Sequence, residues 1–126
     1  MTREEIETLT DLEEKLSKKS QELFTYIYNT YNDVLAFKRF SSYHHCDINE
    51  DEDTICIEYF DYGYDCYDSR EIEIPISDFV SDPFKWADNW ANNIYAERKK
   101  SAEIAEKVKE ERERKELQRL KEKYEV

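Results

Sequence analysis

At 126 residues with a formal charge of −12, the chain is one domain, or a small domain with an appendage. Aromatic residues make up 14% of it, which excludes a disordered acidic tail lacking the apolar surface to offset ordering entropy. Residues 41–82 hold 13 Asp/Glu against Arg70 alone, so residues 1–40, 41–82 and 83–126 carry −2, −12 and +2; such a field repels nucleic acid and anionic lipid and attracts basic partners.

The first expected element is a helix over residues 3–38. Ile6, Leu9, Leu12, Leu16, Leu23, Ile27, Tyr31 and Val34 fall three, four or seven apart, which is one helical stripe. Thr2 with Glu5 fits a capping box. Phe24, Tyr26, Tyr28, Leu35 and Phe37 make its second half apolar on more than one side and the more buried. Met1-Thr2-Arg3-Glu4-Glu5 begins like a charged helix and not like a secretory leader.

The apolar period then changes to two. Residues 43–48 form an expected first strand, followed by the charged turn Asn49-Glu50-Asp51-Glu52-Asp53. In residues 54–62, Ile55, Ile57 and Tyr59 take one face and Cys56, Glu58 and Phe60 the other. Gly63, the one glycine, lies in a second turn region where a positive φ would be tolerated. Over residues 70–76, Ile72, Ile74 and Ile76 alternate with Glu71, Glu73 and Pro75. Pro75 cannot donate to a ladder, which points to an edge strand or a strand end.

Ser81-Asp82-Pro83 places a capping residue before a proline at the first helical position. Phe84, Trp86, Trp90, Ile94 and Tyr95 then form an aromatic stripe able to cover the sheet. After Ala96 the chain turns rich in Lys, Arg and Glu, with apolar residues thinned to Ile104, Ala105, Val108, Leu117, Leu120 and Tyr124. A helix from 83 to 126 would run about 65 Å, longer than a small sheet covers. The expectation is therefore α+β. A compact domain spans residues 1–96, with a long N-terminal helix, a three-stranded antiparallel meander and a long C-terminal helix. Residues 97–126 follow as a charged helical tail.

No constellation points to an enzyme. Asp47, Asn49, Asp51, Asp53 and Glu58 stand at positions 1, 3, 5, 7 and 12 of an EF-hand-like loop. Position 6 is Glu52 where the turn needs glycine, and the flanks read as strands. His44, His45, Cys46, Cys56 and Cys66 offer zinc ligands, but the cysteines are ten apart and the adjacent histidines are expected to point to opposite faces of a strand. No metal or cofactor is expected. Three cysteines, an odd number, without an export signal read as reduced thiols of a cytoplasmic protein.

The binding candidates are Glu50, Asp51, Glu52 and Asp53 at one tip, and Asp61, Tyr62, Tyr64, Asp65, Tyr67 and Asp68 around the second turn. Tyrosine beside carboxylate suits Arg and Lys, through cation–π contact and charge-assisted hydrogen bonds. Base stacking would need a basic groove, and the sign here is the opposite.

The Tyr/Asp-rich meander, the Ile72-Glu73-Ile74-Pro75-Ile76 strand, the Trp-containing helix start and the Lys/Glu-rich tail resemble small acidic proteins of bacteriophages and other mobile elements. These include anti-CRISPR and other anti-defence inhibitors. The resemblance covers residues 43–126 in composition and order of elements. It implies a non-enzymatic, phage-type inhibitor in the host cytoplasm. By mimicking nucleic acid it would occupy a basic, nucleic-acid-handling surface of a host defence protein. Two other classes stay open: a self-associating helical assembly protein, and a protein that sequesters a small molecule such as a nucleotide. The apolar stripes at residues 6–16 and beyond Ala96 outrun the sheet, which implies a homodimer through the helices, with a monomeric helical hairpin as the alternative.

Overall fold

The computed structural model describes residues 1–35 and 40–124. It divides into two units, Met1–Ala91 and Asn92–Val126. The first unit holds the sheet and its helices; within the second, residues 92–124 are the continuation of one helix.

Helix α1 spans Arg3–Thr30, and the Thr2 hydroxyl caps it by accepting from the Glu5 N–H at 3.1 Å. Its buried residues are Ser20, Leu23, Phe24 and Ile27, one face of its last three turns, whereas Ile6, Leu9 and Leu12 stay exposed. The helix ends earlier than its periodicity predicts. Tyr31 leaves the helical region at φ −134°, and a single turn, α2 (Asn32–Leu35), follows and buries Val34 and Leu35. The remainder of the expected helix, residues 36–38, lies outside the described residues.

Three strands follow: β1 (Phe40–Asn49), β2 (Thr54–Tyr62) and β3 (Tyr67–Pro75). They form an antiparallel sheet in the order β1-β2-β3, so β2 is central and β3, which ends on Pro75, is an edge. The inward side chains of β2 are Ile55, Ile57, Tyr59 and Asp61, all buried. Ile72 and Ile74 of β3 join them, and Leu23, Phe24, Ile27 and Leu35 pack on this face. At about 25 cal/mol per Å² of apolar surface, this one-sided layer is the main stabilising term of the unit. Among the described residues, the other face of the sheet carries no helix-packed core residue.

Ile76 is not the last strand residue that alternation predicts. It opens a short helix, α3 (Ile76–Ser81), and its N–H donates to the Asp53 carbonyl at 3.0 Å. Phe79 of α3 is buried, with the Lys19 ammonium 4.8 Å from its ring centroid. Helix α4 (Pro83–Tyr124) starts as expected: the Lys85 N–H donates to the Asp82 carboxylate at 3.1 Å. Its buried positions are Pro83, Ala87 and Ala91 rather than the aromatics. Alanines four apart let the helix backbone approach closely, while Trp86 and Trp90 flank the contact, stacked at 5.6 Å. Phe84 is exposed, its ring meeting Tyr26 edge-on at 4.9 Å.

The positive φ falls at Asp53 (57°), and Gly63 has none. Asp53 closes the four-residue turn between Asn49 and Thr54, where a short polar side chain tolerates the left-handed region. The second turn is held by the Gly63 N–H donating to the Cys66 carbonyl at 2.7 Å.

Candidate partner-binding face

The candidate residues do not form one patch. Glu50, Asp51, Glu52 and Asp53 are exposed in the β1–β2 turn, and Tyr64 and Asp65 are exposed in the β2–β3 turn. The meander puts these turns at opposite ends of β2, eight strand steps or about 26 Å apart. Asp61 is not at the surface at all. It is fully buried on the inward face, its carboxylate accepting from Arg70 Nε at 3.2 Å. A second guanidinium nitrogen of Arg70 lies 3.8 Å from Asp68, so the one cation of the segment is held by two of its carboxylates. The alternation that turns Tyr59 inward turns Asp61 inward as well.

What links the two ends is the outward face. Cross-strand register places Phe40, Tyr62 and Tyr67 in one row, and Ser42, Phe60 and Ser69 in the next. Phe40 stacks on Tyr62 at 5.0 Å, Phe60 meets Tyr67 at 5.2 Å, and Tyr62 and Tyr67 are 5.7 Å apart. Phe40 and Tyr67 are open to solvent, 45% and 60% exposed, while Phe60 and Tyr62 between them are half-buried. Nearer the first turn the rows become acidic: His45, Glu58 and Glu71, then Asp47, Cys56 and Glu73. No outward position of the three strands is Lys or Arg. The crowding has an electrostatic consequence, since the Glu52 carboxylate beside Glu73 raises the Glu73 pKa above its ordinary value.

A β-bulge shapes this face. Tyr43 pairs with Tyr59 and His45 with Glu58, so three residues of β1 oppose two of β2. The extra residue puts both histidines outward, with rings 4.7 Å apart, and His44 lies 4.5 Å from Phe60. The expectation that adjacent histidines take opposite faces therefore fails, because it assumed an unbroken period of two. The EF-hand-like set is spread along β1, the turn and β2, and Glu58 meets His45 at 3.3 Å.

None of the three cysteines is in a disulfide. Cys56 donates to Glu71 at 3.2 Å, and partial burial together with that bond pushes its thiol up to about 12. A cleft of about 1030 Å³ runs between α1 and β1 and is lined by Leu9, Leu12, Leu16, Tyr43, Cys46 and Ile48 among others. Sequence reasoning missed Phe40, which it left next to the end of a helix, and the grouping of Phe40, Phe60, Tyr62 and Tyr67. The alternation of β2 held half of that signal; the other half needed the register of both neighbouring strands.

Comparison with protein-family models, curated proteins and solved structures gives no match. Among the described residues, no helix is long and apolar enough to cross a membrane.

Proposed function

We propose that the protein is a non-enzymatic binder whose outward sheet face grips a basic surface of a partner protein. The observation that carries this is the aromatic group of Phe40, Phe60, Tyr62 and Tyr67, exposed at Phe40 and Tyr67, running into Glu58, Glu71 and Glu73, with no Lys or Arg at the described outward strand positions. Aromatic faces attract guanidinium and ammonium groups, and the adjoining carboxylates fix their orientation through charge-assisted hydrogen bonds. Open aromatic surface is also the kind of residue set that dominates binding energy at contacts. Nucleic acid itself is repelled by this field, so the partner's surface is one that handles nucleic acid and accepts an acidic surrogate. In its most specific form the proposal is a phage-type inhibitor of a host defence protein, acting in the host cytoplasm; the charge sign and the resemblance in composition support that form.

A host pull-down tests it. Wild-type protein should capture a nucleic-acid-binding or nuclease protein, with capture weakening as salt rises. A Tyr62→Ser/Tyr67→Ser variant should lose that capture, and Glu71→Gln/Glu73→Gln should slow association. Salt-insensitive capture of an acidic partner, or capture unaffected by the tyrosine pair, would overturn it.

A second proposal rests on a different observation. Ile6, Leu9 and Leu12 are half exposed along one stripe of α1, and Ile48 is exposed on the neighbouring strand. Each would be stabilised by roughly 1.5–3 kcal/mol on full burial. A second copy packing stripe against stripe about a two-fold axis would cover them.

A further inference from the structure

We propose that the bulged end of β1 is a site for a divalent d-block cation of the zinc class, with His44, His45 and Glu58 as ligands. Nitrogen and carboxylate ligand atoms of these three residues all lie within 4.8 Å of one another. A tetrahedral zinc site with bonds of 2.0–2.1 Å needs ligand atoms about 3.4 Å apart, a closure that small side-chain rotations provide. Two imidazoles with carboxylate oxygens make a borderline-soft set, which favours zinc, cobalt or nickel over calcium or magnesium.

Three features go beyond proximity. The bulge is the device that assembles the set, since without the extra residue the two histidines would stand on opposite faces. The rings are then held by their surroundings, His44 against Phe60 at 4.5 Å and against His45 at 4.7 Å. Finally, His45 Nε2 has the Asp47 carboxylate at 2.9 Å and the Glu58 carboxylate at 3.3 Å. The ring nitrogen and the carboxylates thus converge on one point of the strand. In the loaded protein the metal would stand between His45 Nε2, the His44 ring and the Glu58 carboxylate, with water completing its coordination. The ion would pin β1 to β2 at the one point where their ladder is irregular.

The residue set also has a competitor on the same face. Cys56, Glu71 and Glu73 bring a thiol and two carboxylates within the same distance of one another. The histidine set is favoured because its two imidazoles are brought together on one face by the bulge, whereas the Cys56 Sγ is already engaged with the Glu71 carboxylate at 3.2 Å.

Calorimetric titration of zinc chloride into the full chain, in a buffer that does not bind metal, decides the matter. One equivalent should bind in the micromolar range, and cobalt should give the visible bands of a tetrahedral site. His44→Ala and Glu58→Gln should each weaken zinc by about tenfold or more, while Cys56→Ser and Asp51→Asn bind as the wild type does. Circular dichroism identifies any variant that fails to fold, and the other ligand substitution then carries the test. No uptake at millimolar zinc overturns the proposal. So does uptake abolished by Cys56→Ser, which would move the ion to the thiol set. Uptake that survives both ligand substitutions, or is matched by calcium, would mark diffuse attraction to an acidic face.

Discussion

Asp61 is fully buried and its carboxylate accepts from Arg70 Nε at 3.2 Å across the β2–β3 ladder. Arg70 is the only Lys or Arg in residues 41–82, and its half-buried guanidinium is shared between Asp61 and Asp68. Replacing it with Met takes an ion-pair partner away from a buried carboxylate, a loss of about 3 kcal/mol in comparable pairs. The urea midpoint of Arg70→Met should fall accordingly. The double variant Asp61→Leu/Arg70→Met should recover most of the loss, because removing both partners leaves nothing charged to desolvate. A double variant as unstable as the single one would mean that the pair does more than neutralise.

Tyr26 and Tyr31 both donate to one oxygen of Asp88 at 2.7 Å. Those bonds hold Asp88 below the usual carboxylate range and raise both phenols, Tyr26 to about 12. A depressed carboxyl contributes stability above its unfolded pKa, near 4, which is lost as pH falls through the lower folded value. A raised phenol contributes stability below its unfolded pKa, near 10, which is lost as pH climbs toward about 12. Denaturant midpoints measured between pH 2 and 12 should therefore fall at both ends. Tyr26→Phe should flatten the alkaline fall and soften the acid one.

Thiol chemistry should be ordered by position. Cys66 is exposed in the β2–β3 turn, while Cys56 is half-buried with its thiol pushed up to about 12. At neutral pH iodoacetamide should label Cys66 well before Cys56, since the thiolate is the nucleophile. Peptide mapping at short times reads the order. Glu71→Gln should speed labelling of Cys56 by removing one of the charges that hold its proton.

Helix association is tested at the exposed part of the α1 stripe. Leu9 and Leu12 are about half exposed, whereas Leu16 packs partly on the core. Leu9→Glu/Leu12→Glu should convert a dimer to a monomer without unfolding the first unit. Light scattering of the wild type at micromolar concentration that gives 15.3 kDa ends the dimer proposal.

The first turn offers a backbone test. Asp53 has φ 57°, so Asp53→Ala should cost about 1 kcal/mol and Asp53→Gly should be near neutral. The sequence pointed to Gly63 for this conformation, because glycine is its usual occupant. The turn instead uses Asp53, whose carbonyl also anchors Ile76.

What could be read beforehand follows from how local each signal is. The α+β order, the three antiparallel strands and the cap at Asp82 were legible, because a period of two over residues 54–62 and an Asp-Pro pair are complete in a few residues. The end of α1 at Thr30 was not, since no glycine or proline marks it and the apolar stripe runs on through Val34. Helix α3 was hidden for a related reason: it begins at Ile76 straight after Pro75, with no side-chain cap, and continues an Ile-x-Ile-x-Ile rhythm. The buried fate of Asp61 followed from strand parity, but its five aromatic neighbours drew attention to the surface. Phe40 and the paired histidines depended on register and on a bulge, neither of which residue types alone encode.

The bulge has one more effect, on crowding between molecules. β1 is an edge strand, and a long, regular edge is a template on which another chain can add a strand. The additional residue at 43–45 interrupts that template near its midpoint and bends the strand. Deleting His44 would keep Tyr43 opposite Tyr59 and His45 opposite Glu58 while making the ladder continuous. The folded protein should survive such a deletion, and its solutions should cloud at concentrations where the parent stays clear. A residue that looks like an irregularity inside one molecule thus acts as spacing between many.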